Sequence, residues 1–181
     1  MLILASRSPR RRELMKLITE DFIATAADVD ETLPEGIAPA DAVKYLSKIK
    51  AAPFVKEGDI VIGADTVVSL EGAILGKPQD AEDARRMLRL LSGKCHSVFT
   101  GYTVVTPQQC VSCCVETKVW FYPLTDSDIE RYIATGEPFD KAGAYGIQGY
   151  GSLLVEGIDG DYFNVVGLPV SHLVRTLSNF H

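Results

Sequence analysis

The stretch Ile60-Val-Ile-Gly-Ala-Asp65-Thr-Val-Val-Ser-Leu70 decides how the chain is read. Its β-branched, almost continuous apolar content predicts a buried strand rather than a helix. Asp65 breaks the pattern. An isolated buried charge costs on the order of several kcal/mol, so this carboxylate must be paired, coordinated to a metal, or bonded to backbone at a bend beside Gly63. Buried acids in polar company concentrate at functional sites, which favours a catalytic or metal-ligating role, with Thr66 adding a hydroxyl. Glu71-Gly72 turns the strand back through Ala73–Leu75 to Gly76-Lys77-Pro78, from where Lys77 can swing toward Asp65.

On the N-terminal side, Leu2–Ala5 reads as a short buried strand and Phe22–Ala26 as another. Between them Ser8-Pro9 opens a helix, since serine is a good N-cap and proline fits the first helical position. Pro39–Ala52 is helical by period. On the C-terminal side Asp80, with Asp83 three residues on, starts a helix that Gly93 ends. Ser97–Val105 and Gln109–Tyr122 form a long hairpin about Thr106-Pro107-Gln108, and Thr125-x-x-Asp128 caps a helix running through Ala134. Two short strands are expected near Leu153–Glu156 and Tyr162–Val166, then a last helix from Pro169. Helices mixed with long antiparallel pairs give an α/β or α+β fold with a mixed sheet; a doubly wound parallel sheet does not fit.

The 181 residues suffice for one domain, with two lobes around a cleft as the expected arrangement. Composition is that of a soluble globular protein, 46% hydrophobic and 23% charged, with a mean hydropathy of +0.09. No apolar run approaches the ~18 residues of a membrane helix, and arginines directly after Met1-Leu-Ile-Leu-Ala are the wrong charge order for a secretory signal. The net charge of −6 disfavours a nucleic-acid polymer as partner. Arg7, Arg10, Arg11 and Arg12 nevertheless crowd a helix start. Positive charge there opposes the helix dipole, so the cluster calls for an anion, and phosphate suits the donors of Ser6, Ser8 and the guanidiniums. No Walker-type glycine-lysine loop is present.

Cys110-x-x-Cys113 lies in a β-branched stretch with Cys114, and Cys95 is distant in sequence. Without a second ligand pair a zinc site is disfavoured, and reduced thiols point to the cytoplasm. Asp28, Asp30 and Glu31 form an acidic turn that is either a solvated surface or a place for a hard cation. Lys50 near a helix end has an equally open reading. Asp140-Lys-Ala-Gly-Ala-Tyr-Gly-Ile-Gln148-Gly149 is a glycine-rich loop whose amide could meet a base edge. His96, His172 and His181 are scattered with no Ser or Cys partner evident, which disfavours a Ser-His or Cys-His nucleophile.

Taken in order, Leu4-Ala-Ser-Arg-Ser-Pro-Arg-Arg-Arg-Glu-Leu14, Asp30-Glu31, Lys48-Ile-Lys50-Ala51, Gly63-Ala-Asp-Thr66, Leu75-Gly-Lys-Pro78, Leu91-Ser-Gly93, Gly136-Glu-Pro138, Lys141–Gly149 and Val166-Gly-Leu-Pro169 resemble the Maf family of nucleotide pyrophosphatases over essentially the whole chain. The resemblance implies an elongated mixed sheet flanked by helices, of the inosine triphosphatase type. It implies a cytoplasmic, often dimeric enzyme that uses Mg²⁺ or Mn²⁺ to cleave nucleoside triphosphates between the α and β phosphates. The Ala-Tyr-Gly-Ile-Gln loop is similar to the branch acting on dTTP and UTP. Carried over by resemblance, Asp65 is the proton acceptor; Arg10, Thr66 and Gln148 stand at positions of substrate choice; Ser6, Arg11, Glu31, Lys50 and Lys77 complete the active-site set. Glu31 and Asp65 are the expected metal carboxylates. Arg7 departs from the small residue of many relatives and adds charge beside the phosphates. Rival readings are a 7-methyl-GTP or an inosine/xanthosine triphosphate pyrophosphatase, or a nucleotide-binding regulator of cell division without turnover.

Overall fold

A computed structural model describes residues 1–180. Seven strands form one mixed sheet: β1 (Leu2–Ala5), β2 (Ile23–Thr25), β3 (Ile60–Leu70), β4 (Ala73–Leu75), β5 (Cys95–Val105), β6 (Cys110–Phe121) and β7 (Val155–Asp159), in the order β2-β1-β3-β5-β6-β7 with β4 also on β3. β1 runs parallel to β2 and β3, and every other pairing is antiparallel. The six α-helices among the described residues are α1 (Pro9–Lys16), α2 (Pro39–Ala51), α3 (Ala81–Leu91), α4 (Asp126–Ile133), α5 (Tyr162–Val166) and α6 (Val170–Leu177). The expected mixed sheet flanked by helices is therefore the one observed.

Helix starts follow the expected chemistry. The Ser8 hydroxyl accepts the Arg11 N–H, Asp80 accepts the Asp83 N–H, and Thr125 with Asp128 closes a full capping box. One expectation fails. Tyr162–Val166 is helix α5, and the preceding strand is Val155–Asp159, reached through a 3₁₀ turn over Gly149–Leu154. The β-prone side chains of Tyr162–Val166 are overridden because Asp161 caps the N–H groups of Phe163 and Asn164, while buried Asn164 finds its partners on β5 and β6.

Side chains of a strand alternate between faces, and β3 uses this to divide the molecule. On one face α2 lies directly on the sheet: a Cβ at Gly63 would sit 2.0 Å from the Ser47 carbonyl oxygen, and one at Gly101 would sit 2.4 Å from the Val43 backbone. On the other face β3 feeds two cores. Ile62 and Ala64 pack with Leu4, Leu14, Tyr102 and Leu173, whereas Val68 and Leu70 pack with Leu88, Leu91, Phe121 and Ile129. Thr66 falls between the two.

A second feature positions the site. β1 pairs with β3 only as far as Gly63, and β4 begins at Val68. Residues 64–67 therefore have no strand neighbour on that edge among the described residues. The ladder has a gap there, and side chains from both faces of β3 reach it.

Candidate active site

A cleft of about 940 Å³ opens at this gap, near the upper end of the range for small-molecule sites. Ser6, Arg10, Arg11, Glu31, Lys50, Asp65, Thr66, Lys77 and Gln148 all border it. Five separate stretches bring them together: the β1–α1 junction, the acidic turn, the end of α2, the β3–β4 hairpin with the turn after it, and the glycine-rich loop.

Asp65 is on the α2 face, directly across from Gly101 on β5. Because α2 rides on Gly63 and Gly101, its last turn brings Lys50 to Asp65, where the ammonium donates a hydrogen bond to Oδ1. The same Nζ lies 3.1 Å from Glu31 Oε2. The acidic turn is thereby resolved: Glu31 joins Lys50, Asp28 pairs with Arg7 at 2.6 Å, and Asp30 accepts the Thr32 N–H at 2.9 Å as a local turn.

The opposite face presents Thr66 and Arg11. Arg11 donates from Nε to the Gly167 carbonyl at 2.8 Å and from Nη2 to Thr66 Oγ1 at 3.0 Å. Burial lowers its pKa, opposed foremost by the charge of Asp65; a guanidinium still keeps its proton at any ordinary pH. The first turn of α1 carries no acid to offset its arginines. Buried Ser6 accepts the Ser8 N–H at 3.2 Å, which shapes the junction.

At the cleft mouth Arg10 pairs with Asp140 at 3.2 Å, and Asp140 also takes a 2.7 Å bond from Lys141. Burial pushes the Asp140 carboxyl up, yet the Lys141 hydrogen bond and the two cations hold it below the usual carboxylate value. Lys141 donates further to the Glu137 carbonyl at 2.7 Å. Gly143, at φ +69°, packs on Val68 and donates its N–H to the Gly76 carbonyl at 3.0 Å, tying the glycine-rich loop to the Lys77 turn. Lys77 and Gln148 are exposed, and their side chains have no ion-pair or hydrogen-bond partner among the described residues.

Glu31 and Asp65 converge on one ammonium, and no group of three or more His, Cys, Asp or Glu side chains suited to a metal exists among the described residues. Such a pair does not make a closed structural site. It fits a hard cation that takes one or two carboxylates and completes its shell with water and phosphate oxygens.

Sequence reasoning missed Asp140, Lys141 and Glu137 as site-forming residues, and Thr100 and Asn164 behind them. Charged residues flanking a glycine-rich loop could have flagged the first three. Asn164, a polar residue inside Tyr-Phe-Asn-Val-Val, carries the same signal as Asp65. The four cysteines are unpaired thiols, with burial pushing Cys114 up to about 11. His181 lies outside the described residues. No helix among the described residues is long and apolar enough to cross a membrane.

Fold and site together define an α/β protein whose sheet edge is notched by a charged cleft of small-molecule size. The family model for Maf-like proteins matches residues 1–180, and the chain belongs to that family. It is 48% identical to the dTTP/UTP pyrophosphatase of Bacillus cytotoxicus, covering 98% of this chain and 94% of that protein, and 48% identical to the dTTP/UTP pyrophosphatase of Bacillus pumilus, covering 99% and 96%. A HAM1 protein from Coxiella burnetii shares the fold, with a TM-score of 0.51 and 14% identity over 98% of both chains.

Proposed function

We propose that this protein hydrolyses nucleoside triphosphates, dTTP and UTP foremost, to the monophosphate and pyrophosphate, as a nucleotide-pool house-cleaning enzyme of the cytoplasm. The curated relatives bearing that activity in their names, nearly half identical over almost the full length, support the reaction. The single observation that carries the site assignment is the shared cleft, where Asp65, held by Lys50, opens toward the cations of α1 and the β3–β4 hairpin. The chain acts as one domain with two cores flanking that cleft. A homodimer is the proposed assembly, with the stretch of β6 that precedes its pairing with β7 at Lys118 as the open edge.

The mechanism follows from the side chains. Lys50 fixes Asp65 through Oδ1, leaving Oδ2 to accept a proton from water that attacks the α phosphorus in line. Arg11 and Lys77 meet the charge that gathers on the departing pyrophosphate. Glu31 and Asp65 are the residues that would hold a divalent cation, Mg²⁺ or Mn²⁺, which would supply charge neutralisation when bound. Arg10 and Thr66 bear on substrate choice, and the exposed Gln148 amide offers both a donor and an acceptor to the imide edge common to thymine and uracil. Ser6 shapes the phosphate-side junction.

A nucleotide panel with Mg²⁺ and with Mn²⁺, reading monophosphate and pyrophosphate separately, tests this. Expected is equimolar release of both products from dTTP and UTP, with slower turnover of 7-methyl-GTP and of inosine or xanthosine triphosphate. Preference for a purine, or binding of triphosphates with no product, overturns the reading.

A further inference from the structure

We propose that Thr100 and Asn164 are positioning residues, which act through a one-directional hydrogen-bond chain and a second anchor to aim the Arg11 guanidinium at the polyphosphate. The proposal deepens the reading above and rests on it for the identity of the anion. Neither residue borders the cleft, and both are fully buried.

The chain's direction is set at its inner end. A carbonyl oxygen only accepts, so the Thr100 hydroxyl proton is committed to the Asn164 backbone carbonyl at 2.8 Å. Thr100 Oγ1 can then only accept from Thr66, 2.8 Å away, and the Thr66 proton is committed in turn. What Thr66 offers outward is lone pairs, one of which receives the Arg11 Nη2–H at 3.0 Å. A half-buried hydroxyl that would otherwise rotate between donating and accepting is thus locked as an acceptor.

The second anchor leads to the same residue. Arg11 Nε donates to the Gly167 carbonyl, and Gly167 terminates α5, its N–H bonded to the Phe163 carbonyl. α5 is fixed to the sheet through Asn164. Its Oδ1 accepts the Thr100 N–H at 3.1 Å, and its Nδ2 donates to the Val98 carbonyl at 3.1 Å and to Thr117 Oγ1 at 2.9 Å. Asn164 therefore sets both acceptors of Arg11, one through Thr100 and Thr66, the other through α5. A guanidinium has five N–H donors in a rigid plane. With one given to Gly167 and one to Thr66, the plane is fixed and the remaining three are free among the described residues for phosphate oxygens.

The test compares wild type, Thr100→Val and Thr100→Ser, with Thr100→Ala replacing the valine variant if that does not fold. Calorimetry reads binding of inorganic pyrophosphate and, separately, of UMP; kcat/KM for UTP is measured alongside. Valine keeps the shape and removes the hydroxyl, which frees the Thr66 proton to point at Arg11. Expected is about tenfold weaker pyrophosphate binding, the scale of one hydrogen bond to a charged group, with UMP binding within about twofold of wild type and pyrophosphate binding restored by serine. Unchanged pyrophosphate affinity in Thr100→Val overturns the proposal, as does parallel loss of both ligands or failure of serine to rescue. Absence of triphosphate cleavage by the wild type would sink the functional reading while the pyrophosphate comparison still judges the positioning.

Discussion

The two faces of β3 solve the same problem by opposite means. On the α2 face Asp65 is held by an ion pair, Lys50 reaching across from a helix that two glycines allow to lie flat on the sheet. On the other face Thr66 is held from behind by neutral groups, a hydroxyl chain ending at the buried Asn164 backbone carbonyl, and in front it accepts from Arg11. The ion pair sits at the cleft, where water and substrate can reach the charges. The hydroxyl chain runs inward, where an unpaired charge would cost far more than a neutral bond. Chemistry that must change its protonation state is thus set at the open face, and chemistry that must keep an orientation is set in the core.

The largest test of this division is Asp65→Asn, which keeps shape and removes the base. Turnover should fall by at least ~10²-fold, measured as pyrophosphate release, and near-wild-type turnover would break the assignment of the charged face. The neutral face is probed by His96, which lies on β5 and hydrogen-bonds Tyr145 at 2.6 Å while its Nδ1 has no partner among the described residues. Burial pushes the imidazole down to about 4 from its ordinary 6.5. Between those values the unfolded chain takes up a proton that the native state refuses. Native stability is therefore full above about pH 6.5 and drains as pH falls toward 4. Urea unfolding at pH 7 and pH 4.5 should show the wild type losing about 2 kcal/mol more than His96→Leu; equal losses would mean that the buried imidazole is not held neutral by its surroundings. Gly101→Ala acts on the frame instead: its new Cβ would sit 2.4 Å from the Val43 backbone, so α2 must lift, costing about 3 kcal/mol or more and lowering turnover by moving Lys50 from Asp65. Gly157→Ala, with nothing within 4 Å of the added carbon, is the matched control and should lose neither.

The same contrast explains what could be read from the sequence. Asp65 announced itself because a charge in an apolar run is local information. The limits of β3, β4 and the α1 cap were legible for the same reason, resting on a continuous β-branched apolar run, Glu71-Gly72 and Ser8-Pro9. The neutral chain was hidden because it exists only through pairing: Thr66 meets Thr100 by register across two strands, and Asn164 reaches Thr100 from a segment whose side chains favour a strand. α5 was misread on that account. Its helix depends on a cap at Asp161 and on partners more than 40 residues away in sequence. The Arg10–Asp140 pair, spanning 130 residues, was invisible for the same reason.

The break in pairing along β3 also restricts how this protein can evolve. Four residues bridge the place where one neighbouring strand stops and the next begins, and their alternation sends the acid one way and the hydroxyl the other. Inserting or deleting a single residue there would exchange the two, turning the carboxylate into the apolar layer and the threonine toward the lysine. Length in this span is therefore quantised, and surviving descendants will have changed it in steps of two or left it alone.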